Sequence, residues 1–162
     1  MDRYTLVLSS LNQATIGELV GALKEAGADQ DVWVVILTGA GDKAFIGGAD
    51  VKEMLERVKA VSMSSNPVTY RSSLLEPFLN LGKPVIAAVN GYCLGGGMEI
   101  LDVCTLAFAA EGARFGQPEV NLGFNPLAGA TQQLPLLVGR KKPWRSSCSG
   151  RCSMPQRPCG WG

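Results

Sequence analysis

The sequence predicts an α/β fold in which parallel strands are covered by helices. A short strand over residues 4–8 precedes an amphipathic helix, and residues 32–38 then form a dense β-branched run typical of an interior strand. A second strand, buried on both faces, is predicted over residues 85–89, where an apolar run lies between Pro84 and the turn at Asn90. The order strand, helix, strand is typical of a parallel sheet, because parallel neighbours need a crossover connection.

Three helices are predicted from apolar spacing and from helix-end signals. The first begins near Thr15, where Glu18 follows three residues later in the form of a capping box, and Gly27 can end it. Residues 69–81 place apolar side chains on one helical face. Residues 98–110 are mostly apolar and follow three consecutive glycines, so we expect a helix there as well.

The composition restricts the chemistry that the chain can perform. It has 162 residues, 46% of them hydrophobic, and a formal net charge of +1, which indicates a globular domain and gives no sign of a nucleic-acid partner. Because it contains no histidine, Ser-His pairs, Cys-His pairs and histidine metal sites are excluded, and proton transfer must use other side chains. The chain shows neither a membrane-span pattern nor a signal-peptide core, so we expect a cytoplasmic or organelle-matrix location.

Glycines precede the helix predicted from residue 98 and a further helix start predicted at Asp50. Residues 95–97 are three glycines after the strand over residues 85–89, and residues 47–48 are two glycines before a start at Asp50, which could cap a helix. Consecutive glycines are costly to order, so they indicate that another group approaches the backbone closely. A helix start directs free N–H groups at such a group, as a developing oxyanion requires. The alternative is a turn that only packs a strand against a helix.

Two carboxylates are candidates for proton transfer. Glu99 lies in the first turn of the helix after the glycine triplet, and Glu119 follows Pro118, which argues against a helix and favours a loop or strand. A buried acid pair can supply a general base and a general acid at once. Asp102 and Glu111 are the competing acids: Asp102 could be a cap or an ion-pair member, and Glu111 is expected at the surface.

Three ordered motifs carry a resemblance to a known family. They are Ala44-Phe45-x-x-Gly48-Ala49-Asp50, Lys83-Pro84-Val85-Ile86-Ala87-Ala88-Val89-Asn90-Gly91 followed by Gly95-Gly96-Gly97-x-Glu99, and Phe115-Gly116-Gln117-Pro118-Glu119. These motifs resemble the crotonase superfamily, most closely enoyl-CoA hydratase. The resemblance covers about residues 11–142. It implies a crotonase-type spiral of strand-strand-helix turns, truncated at both ends, with a core over residues 1–142.

The resemblance also implies the roles of the catalytic residues. The backbone N–H groups of Ala49 and Gly96 would form an oxyanion hole for the thioester carbonyl of an acyl-CoA substrate. Glu99 would activate the water that attacks the β-carbon, and Glu119 would supply the proton to the α-carbon. Acids at both positions favour a hydratase. An enoyl-CoA isomerase, another acyl-CoA enzyme of the superfamily and an inactive truncated chain of this fold are the alternatives.

Coenzyme A is implied as part of the thioester substrate, without a permanently bound cofactor and without a metal. The implied binding positions are Lys43, Gly48, Ala49, Asp50, Val51 and Lys52. The backbone from Gly48 to Val51 would hold the adenine, and Lys43 or Lys52 would meet the nucleotide phosphates, although both lysines could equally be surface charges. The resemblance further implies a homotrimer or hexamer if the C-terminal region is intact.

The sequence departs from the family pattern at both ends and in one loop. The usual first hairpin is absent before Leu11, and residues 123–132 are less glycine-rich than the family version, with Phe124 placed to reshape the acyl pocket. After Lys142 the likeness stops, and residues 143–162 show no helical or strand period. Reading permitted codons for this tail one nucleotide earlier gives ALEILLFGEMFDAPEALRMG, which resembles the family's continuation. We therefore interpret the tail as disordered or as the product of a frameshift.

Overall fold

The computed structural model describes residues 10–50, 52–53, 74–123, 125–126 and 128–139. In chain order its elements are α1 (Gln13–Ala28), β1 (Val35–Thr38), β2 (Ala44–Ile46), β3 (Val85–Val89), β4 (Tyr92–Leu94), α2 (Gly96–Leu101), β5 (Leu106–Ala109), β6 (Arg114–Gly116), a 3-10 helix (Pro118–Leu122) and α3 (Ala130–Val138). Residues 74–79 are also helical, within the helix predicted over residues 69–81. The strand predicted over residues 4–8 and the tail after Lys142 lie outside the described residues.

The strands form two parallel three-stranded sheets, which confirms the predicted α/β spiral. One sheet has the order β1-β3-β5 and the other has the order β2-β4-β6. Consecutive strands therefore alternate between the two sheets, so each successive pair of strands adds one strand to each sheet. The helix α2 follows the pair β3 and β4, and the 3-10 helix follows β5 and β6. This repeat of two strands and a helical segment brings the loops after β2 and β4 to the same edge of the second sheet.

The core lies on one face of the first sheet. Val35, Leu37, Val85 and Ala87 point to this face and are buried in one apolar cluster, together with side chains of α1. The opposite face carries Ile36, Ile86, Leu106 and Phe108, of which Ile36, Leu106 and Phe108 are more than half exposed. The prediction that residues 85–89 are buried on both faces was therefore wrong, because Ile86 and Ala88 are only half-buried.

Helix α1 begins earlier than the capping-box pattern predicted. Asn12 is its N-cap, because the Thr15 N–H and the Thr15 hydroxyl both donate to Asn12 Oδ1 at 2.8 Å. Asparagine at this position satisfies an N–H that the helix itself leaves without a partner. Leu19, Leu23 and Ala26 then follow at helical spacing and are buried. The helix ends at Ala28, one residue after the predicted Gly27.

Replacing Asn12 by alanine is expected to lower the free energy of unfolding by about 1 kcal/mol, because two hydrogen bonds to Oδ1 are lost at the helix start. Chemical denaturation followed by far-UV circular dichroism measures this loss. Gln13→Ala is the matched control, because the exposed Gln13 side chain is next to the cap but does not form it. An equal effect in both variants would contradict the assignment of the cap.

The helix predicted over residues 98–110 was wrong in its second half. Helix α2 ends at Leu101, and residues 106–109 form β5 beside β3. Thr105 explains the change, because its N–H donates to the Val85 carbonyl at 2.8 Å and its hydroxyl oxygen accepts from the Val85 N–H at 3.1 Å. These two bonds fix the chain in the first sheet, where an apolar run pairs as a strand.

Asn90 fixes the loop between the two sheets. Its Nδ2 donates to the Gly39 carbonyl at 2.9 Å and to the Gly41 carbonyl at 2.6 Å, and its Oδ1 accepts from the Gly39 N–H at 3.2 Å. The loop after β1 is thereby tied to the loop after β3. Because both loops lead into strands of the second sheet, Asn90 helps to place β2 against β4.

Candidate active site

The two glycine-bearing loops lie against each other. Strands β2 and β4 are parallel neighbours, so the loops that follow them leave from the same edge. A Cβ on Gly97 would lie 2.6 Å from the Ile46 carbonyl oxygen, and a Cβ on Gly48 would lie 3.5 Å from the Leu94 carbonyl oxygen. The first distance is too short for any side chain. Gly97 is therefore required by a close approach of backbone, as the sequence predicted, whereas Gly48 is favoured by its φ of 110°.

The backbone around Ala49 is held in an extended conformation by Leu11. The Leu11 N–H donates to the Gly48 carbonyl at 2.9 Å, and the Asp50 N–H donates to the Leu11 carbonyl at 3.0 Å. In an extended chain the N–H groups of successive residues point to opposite sides. The Asp50 N–H points toward Leu11, so the Ala49 N–H is directed away from it. Among the described residues, no backbone carbonyl accepts this N–H.

The N-terminus of α2 supplies the second free amide. Gly95 precedes the helix with a φ of 54°, and its N–H donates to the Gly116 carbonyl at 2.9 Å. Gly96 is the first helical residue, so its N–H has no partner within the helix. Free amides from two touching loops support the prediction that Ala49 and Gly96 form one oxyanion hole. That their N–H groups converge on a single point stays a prediction.

Glu99 is buried in the first turn of α2, as the sequence predicted. Only 3% of its surface is exposed, and its Oε1 accepts a hydrogen bond of 2.6 Å from the Ala128 N–H. Burial is the largest cause of a raised Glu99 pKa, the Ala128 N–H acts in the opposite direction, and the nearby Glu119 adds to the effect of burial, so that the pKa is about 7. Glu99 can therefore exchange a proton near neutral pH, as a general base requires.

Glu119 lies beside the start of α2. Its surface is 8% exposed. Its Oε1 lies close to Gly95, because a Cβ added to Gly95 would be 2.9 Å from this oxygen. Burial raises the pKa of Glu119, and its own backbone N–H opposes this. Because Gly95 is the N-cap of α2, the Glu119 carboxyl lies beside the helix start whose first turn carries Glu99. Glu119 lies on a 3-10 helix, not on the predicted loop or strand, because Pro118 suits the first helical position.

Gln117 is a site residue to which sequence reasoning gave no role. It is fully buried, and in the amide orientation that satisfies both of its polar atoms its nitrogen donates to Glu119 Oε2 at 3.1 Å and Oε1 at 3.2 Å. Such a donor holds the Glu119 carboxyl in place. The available signal was its position two residues before the acid in the third family-like motif. Ala128 was missed because its backbone contact to Glu99 crosses a sequence separation of 29 residues.

Five of the six predicted coenzyme A positions lie among the described residues. Asp50 caps a helical segment, because its Oδ1 accepts from the Lys52 N–H at 2.9 Å and from the Glu53 N–H at 3.2 Å, which confirms its predicted local role. Lys43 and Lys52 are exposed, and Gly48 is buried. Val51 lies outside the described residues. The assignment of these positions to coenzyme A stays a prediction.

The competing acids and the two described cysteines differ in their exposure to solvent. Glu111 is exposed, as expected, while Asp102 is half-buried at the end of α2. Cys93 is buried and Cys104 is half-buried, and both are free thiols. In the described part of the chain, no three Cys, Asp or Glu side chains are grouped so that they could hold a metal ion. No described helix is long and apolar enough to cross a bilayer.

The raised pKa of Glu99 predicts how stability depends on pH. The folded chain keeps the Glu99 proton up to about pH 7, whereas an unfolded chain loses it near pH 4.5. The free energy of unfolding should therefore fall as the pH rises between these values, by about 3 kcal/mol for this group. Urea denaturation at a series of pH values measures the fall. Glu99→Gln should make it smaller, and an unchanged pH dependence in this variant would contradict the origin of the effect.

The chain was compared with protein families and with solved structures. It matches the family described as enoyl-CoA hydratase/isomerase over residues 4–157. It is 47% identical to a short-chain-enoyl-CoA hydratase of Clostridium acetobutylicum over 136 residues, which are 82% of this chain and 50% of that protein. It is 39% identical to a 2,3-dehydroadipyl-CoA hydratase of Escherichia coli over 142 residues, which are 88% of this chain and 54% of that protein.

A solved structure shows the same fold. The crystal structure of an enoyl-CoA hydratase from Bacillus anthracis superposes with a TM-score of 0.78 at 39% identity, over 90% of this chain and 55% of that one. An enoyl-CoA hydratase/isomerase structure from Mycobacterium abscessus gives a TM-score of 0.81 at 25% identity, over 90% and 56%. The chain thus spans about half the length of the relatives that it matches.

Proposed function

Because the chain belongs to the enoyl-CoA hydratase/isomerase family, we propose that it adds water across the 2,3 double bond of an enoyl-CoA thioester. The observation that carries the proposal is the buried pair Glu99 and Glu119 beside the N-terminus of α2. Hydration of a conjugated thioester needs a base for the water and an acid for the α-carbon. Burial raises the pKa of both carboxyls, that of Glu99 to about 7, which suits a pair that takes up and releases protons.

The proposed reaction begins with polarisation of the thioester. The N–H groups of Ala49 and Gly96 donate to the thioester carbonyl oxygen and stabilise the negative charge that develops on it. Glu99 takes a proton from water, and the resulting hydroxide equivalent forms a bond to the β-carbon while the double-bond electrons move toward the carbonyl. Glu119 then gives its proton to the α-carbon, and the carbonyl reforms. Proton transfer from Glu99 to Glu119, directly or through solvent, restores the starting state.

The substrate proposed for this site is an acyl-CoA. The nucleotide part is assigned to the loop around residues 48–52, with the exposed Lys43 and Lys52 available for its phosphates. Lysine ammonium groups bind phosphate as point charges. The acyl group enters with its thioester at the oxyanion hole. Coenzyme A is thus a part of the substrate, and the proposed chemistry uses only side chains and backbone of the protein.

Isomerisation is the second candidate, because the matched family includes isomerases. An isomerase moves a double bond by taking a proton from one carbon and returning it to another, so it needs no bound water. The two reactions differ in product. We expect loss of the conjugated thioester absorbance when the chain is mixed with crotonyl-CoA, because hydration destroys the conjugation. Gain of that absorbance from a 3-enoyl-CoA, with no loss from crotonyl-CoA, would favour the isomerase.

Self-association is proposed through apolar surface of the first sheet. Ile36, Leu106 and Phe108 are more than half exposed on one face, and Trp33 just before β1 is 83% exposed. Contiguous exposed apolar side chains are typical of interaction surfaces. A trimer or hexamer, formed when the C-terminal region is intact, in a cytoplasmic or organelle-matrix setting is the proposal. A monomer in size-exclusion chromatography with light scattering, for a chain with that region intact, would contradict it.

The frameshift interpretation of residues 143–162 remains a hypothesis about the gene. The family match extends to residue 157, beyond the proposed boundary at Lys142, so the DNA sequence is the measurement that decides. An undisturbed reading frame through Lys142, without the alternative continuation, would end the hypothesis. A shifted frame would mean that the natural protein continues with the family-like helical sequence.

A further inference from the structure

A third acid lies on the same short helix as Glu99. Asp102 is the C-cap of α2, three residues after Glu99, and its backbone keeps the helical conformation, so the two side chains lie on the same face of the helix. The Asp102 N–H donates to the Met98 carbonyl at 2.9 Å, which fixes its backbone. One carboxyl oxygen, Oδ2, is buried and has no hydrogen-bond partner among the described residues. The proposed reaction gives this acid no role. A buried carboxyl oxygen without a hydrogen-bond partner lowers the stability of the folded chain.

The surroundings of Asp102 oppose its negative charge. It lies at the C-terminal end of α2, where the helix presents carbonyl oxygens and no N–H donors. Helix α2 packs against β2 and β4. Among the described residues, the titratable groups on which the Asp102 charge acts are Glu99, Cys93 and Cys104. Glu99 is faced in addition by Glu119. None of these groups supplies a positive charge. Burial accordingly raises the pKa of Asp102 to about 7.

We infer that Asp102 is a positioning residue for the proposed hydration, whose half-buried carboxyl sets the electrostatic field in which the Glu99 base takes up and releases its proton. The inference rests on the proposed function, because it assigns Asp102 to the reaction through Glu99. When Asp102 is ionised, its negative charge opposes the ionisation of Glu99. Glu99 then binds its proton more strongly and is a stronger base toward water. The carboxyls act as a coupled set with shared titration steps.

The coupling predicts a shift when the Asp102 charge is removed. In Asp102→Asn and Asp102→Ala, Glu99 should titrate at a pH lower by about half a unit, because one like charge is missing. The shift is smaller than the effect of burial, which both variants leave in place. Asp102→Glu keeps the charge and should keep the titration of Glu99 near its original position. A purely structural role would change the melting temperature without this pattern.

Two measurements on the full chain test the inference. The Cδ resonance of Glu99, labelled with carbon-13 and assigned by its loss in Glu99→Gln, reports the titration directly. The acid limb of kcat/KM for crotonyl-CoA should shift by the same amount and in the same direction. Glu111→Gln is the control, because Glu111 is exposed and should move neither readout. An unchanged Cδ midpoint in both Asp102→Asn and Asp102→Ala overturns the inference.

The two readouts separate the inference from the function on which it rests. Absence of crotonyl-CoA hydration in the unsubstituted chain contradicts the proposed function, whatever the resonance shows. A shifted Cδ midpoint with an unshifted acid limb overturns the role of Asp102 in the reaction, because the coupling would then not reach the catalytic step. The inference is supported when both readouts shift in Asp102→Asn and Asp102→Ala and when Asp102→Glu keeps the midpoints of the unsubstituted chain.

Discussion

Replacing Glu99 or Glu119 by glutamine is expected to reduce the rate of crotonyl-CoA hydration by about 100- to 10,000-fold. Glutamine keeps the size of the side chain but cannot accept or release the proton that general acid–base catalysis transfers. Both acids are buried, and Glu99 Oε1 accepts the Ala128 N–H, so no solvated group can take their place without rearrangement. Loss of absorbance at the conjugated thioester band measures the rate.

The matched control for this experiment is Glu111→Gln. Glu111 is an exposed acid of the same type, so its replacement should leave kcat and KM unchanged. The double variant Glu99→Gln/Glu119→Gln should lose little more than the slower single variant, because residues that act as a unit have non-additive effects. Full activity in either single variant would remove the proposed roles of the two acids.

The second large effect is expected from Gly97→Ala. The added Cβ would lie 2.6 Å from the Ile46 carbonyl oxygen and 2.8 Å from the Ile46 Cβ, so the loop after β2 and helix α2 must move apart. This movement would separate the amides of Ala49 and Gly96. Loss of one oxyanion-hole donor typically reduces the rate by about 100- to 1000-fold, and we expect a reduction in kcat of this size.

The control for the glycine experiment is Gly17→Ala, on an open face of α1 where a Cβ would meet no atom within 4 Å. Alanine favours a helix more than glycine, so this variant should be slightly more stable and equally active. Circular dichroism and thermal melting establish whether Gly97→Ala is folded. A folded Gly97→Ala chain with unreduced kcat would contradict the role of the two loops.

The local arrangement at the start of α2 was more predictable from the sequence than the element boundaries were. The glycines at 95–97 and the acid Glu99 follow one another in the chain, so a single helix start places them together. Such local relations can be read directly. Asp50 was likewise predicted as a possible cap from its place after two glycines, and its Oδ1 accepts two N–H groups of the following segment.

Relations between distant segments could not be read in the same way. Residues 102–110 are apolar enough for a helix, but the bonds between Thr105 and Val85 draw them into the first sheet. Tertiary contacts here override the local preference. Gln117 and Ala128 were missed for a similar reason, because their contacts to Glu119 and Glu99 depend on how remote loops fold back.

The exposed first sheet shows the limit of reading burial from apolar content. An apolar run predicts that a strand can be buried on both faces, but it does not say what covers each face. Here α1 packs with the core of the described chain, while Ile36 and Phe108 on the opposite face remain exposed. Their apolar character fits the proposed self-association better than it fits an isolated chain.

The most direct test of the oxyanion hole is the response of two backbone amides to a saturated thioester. Butyryl-CoA has no 2,3 double bond and cannot be hydrated, so it can be added stepwise to the protein while the nitrogen-15 amide resonances are recorded. We predict that the Ala49 and Gly96 amides shift together and saturate at one concentration, whereas the Gly17 amide does not move. Saturating butyryl-CoA that shifts only one of the two amides, or neither, would contradict the proposed site.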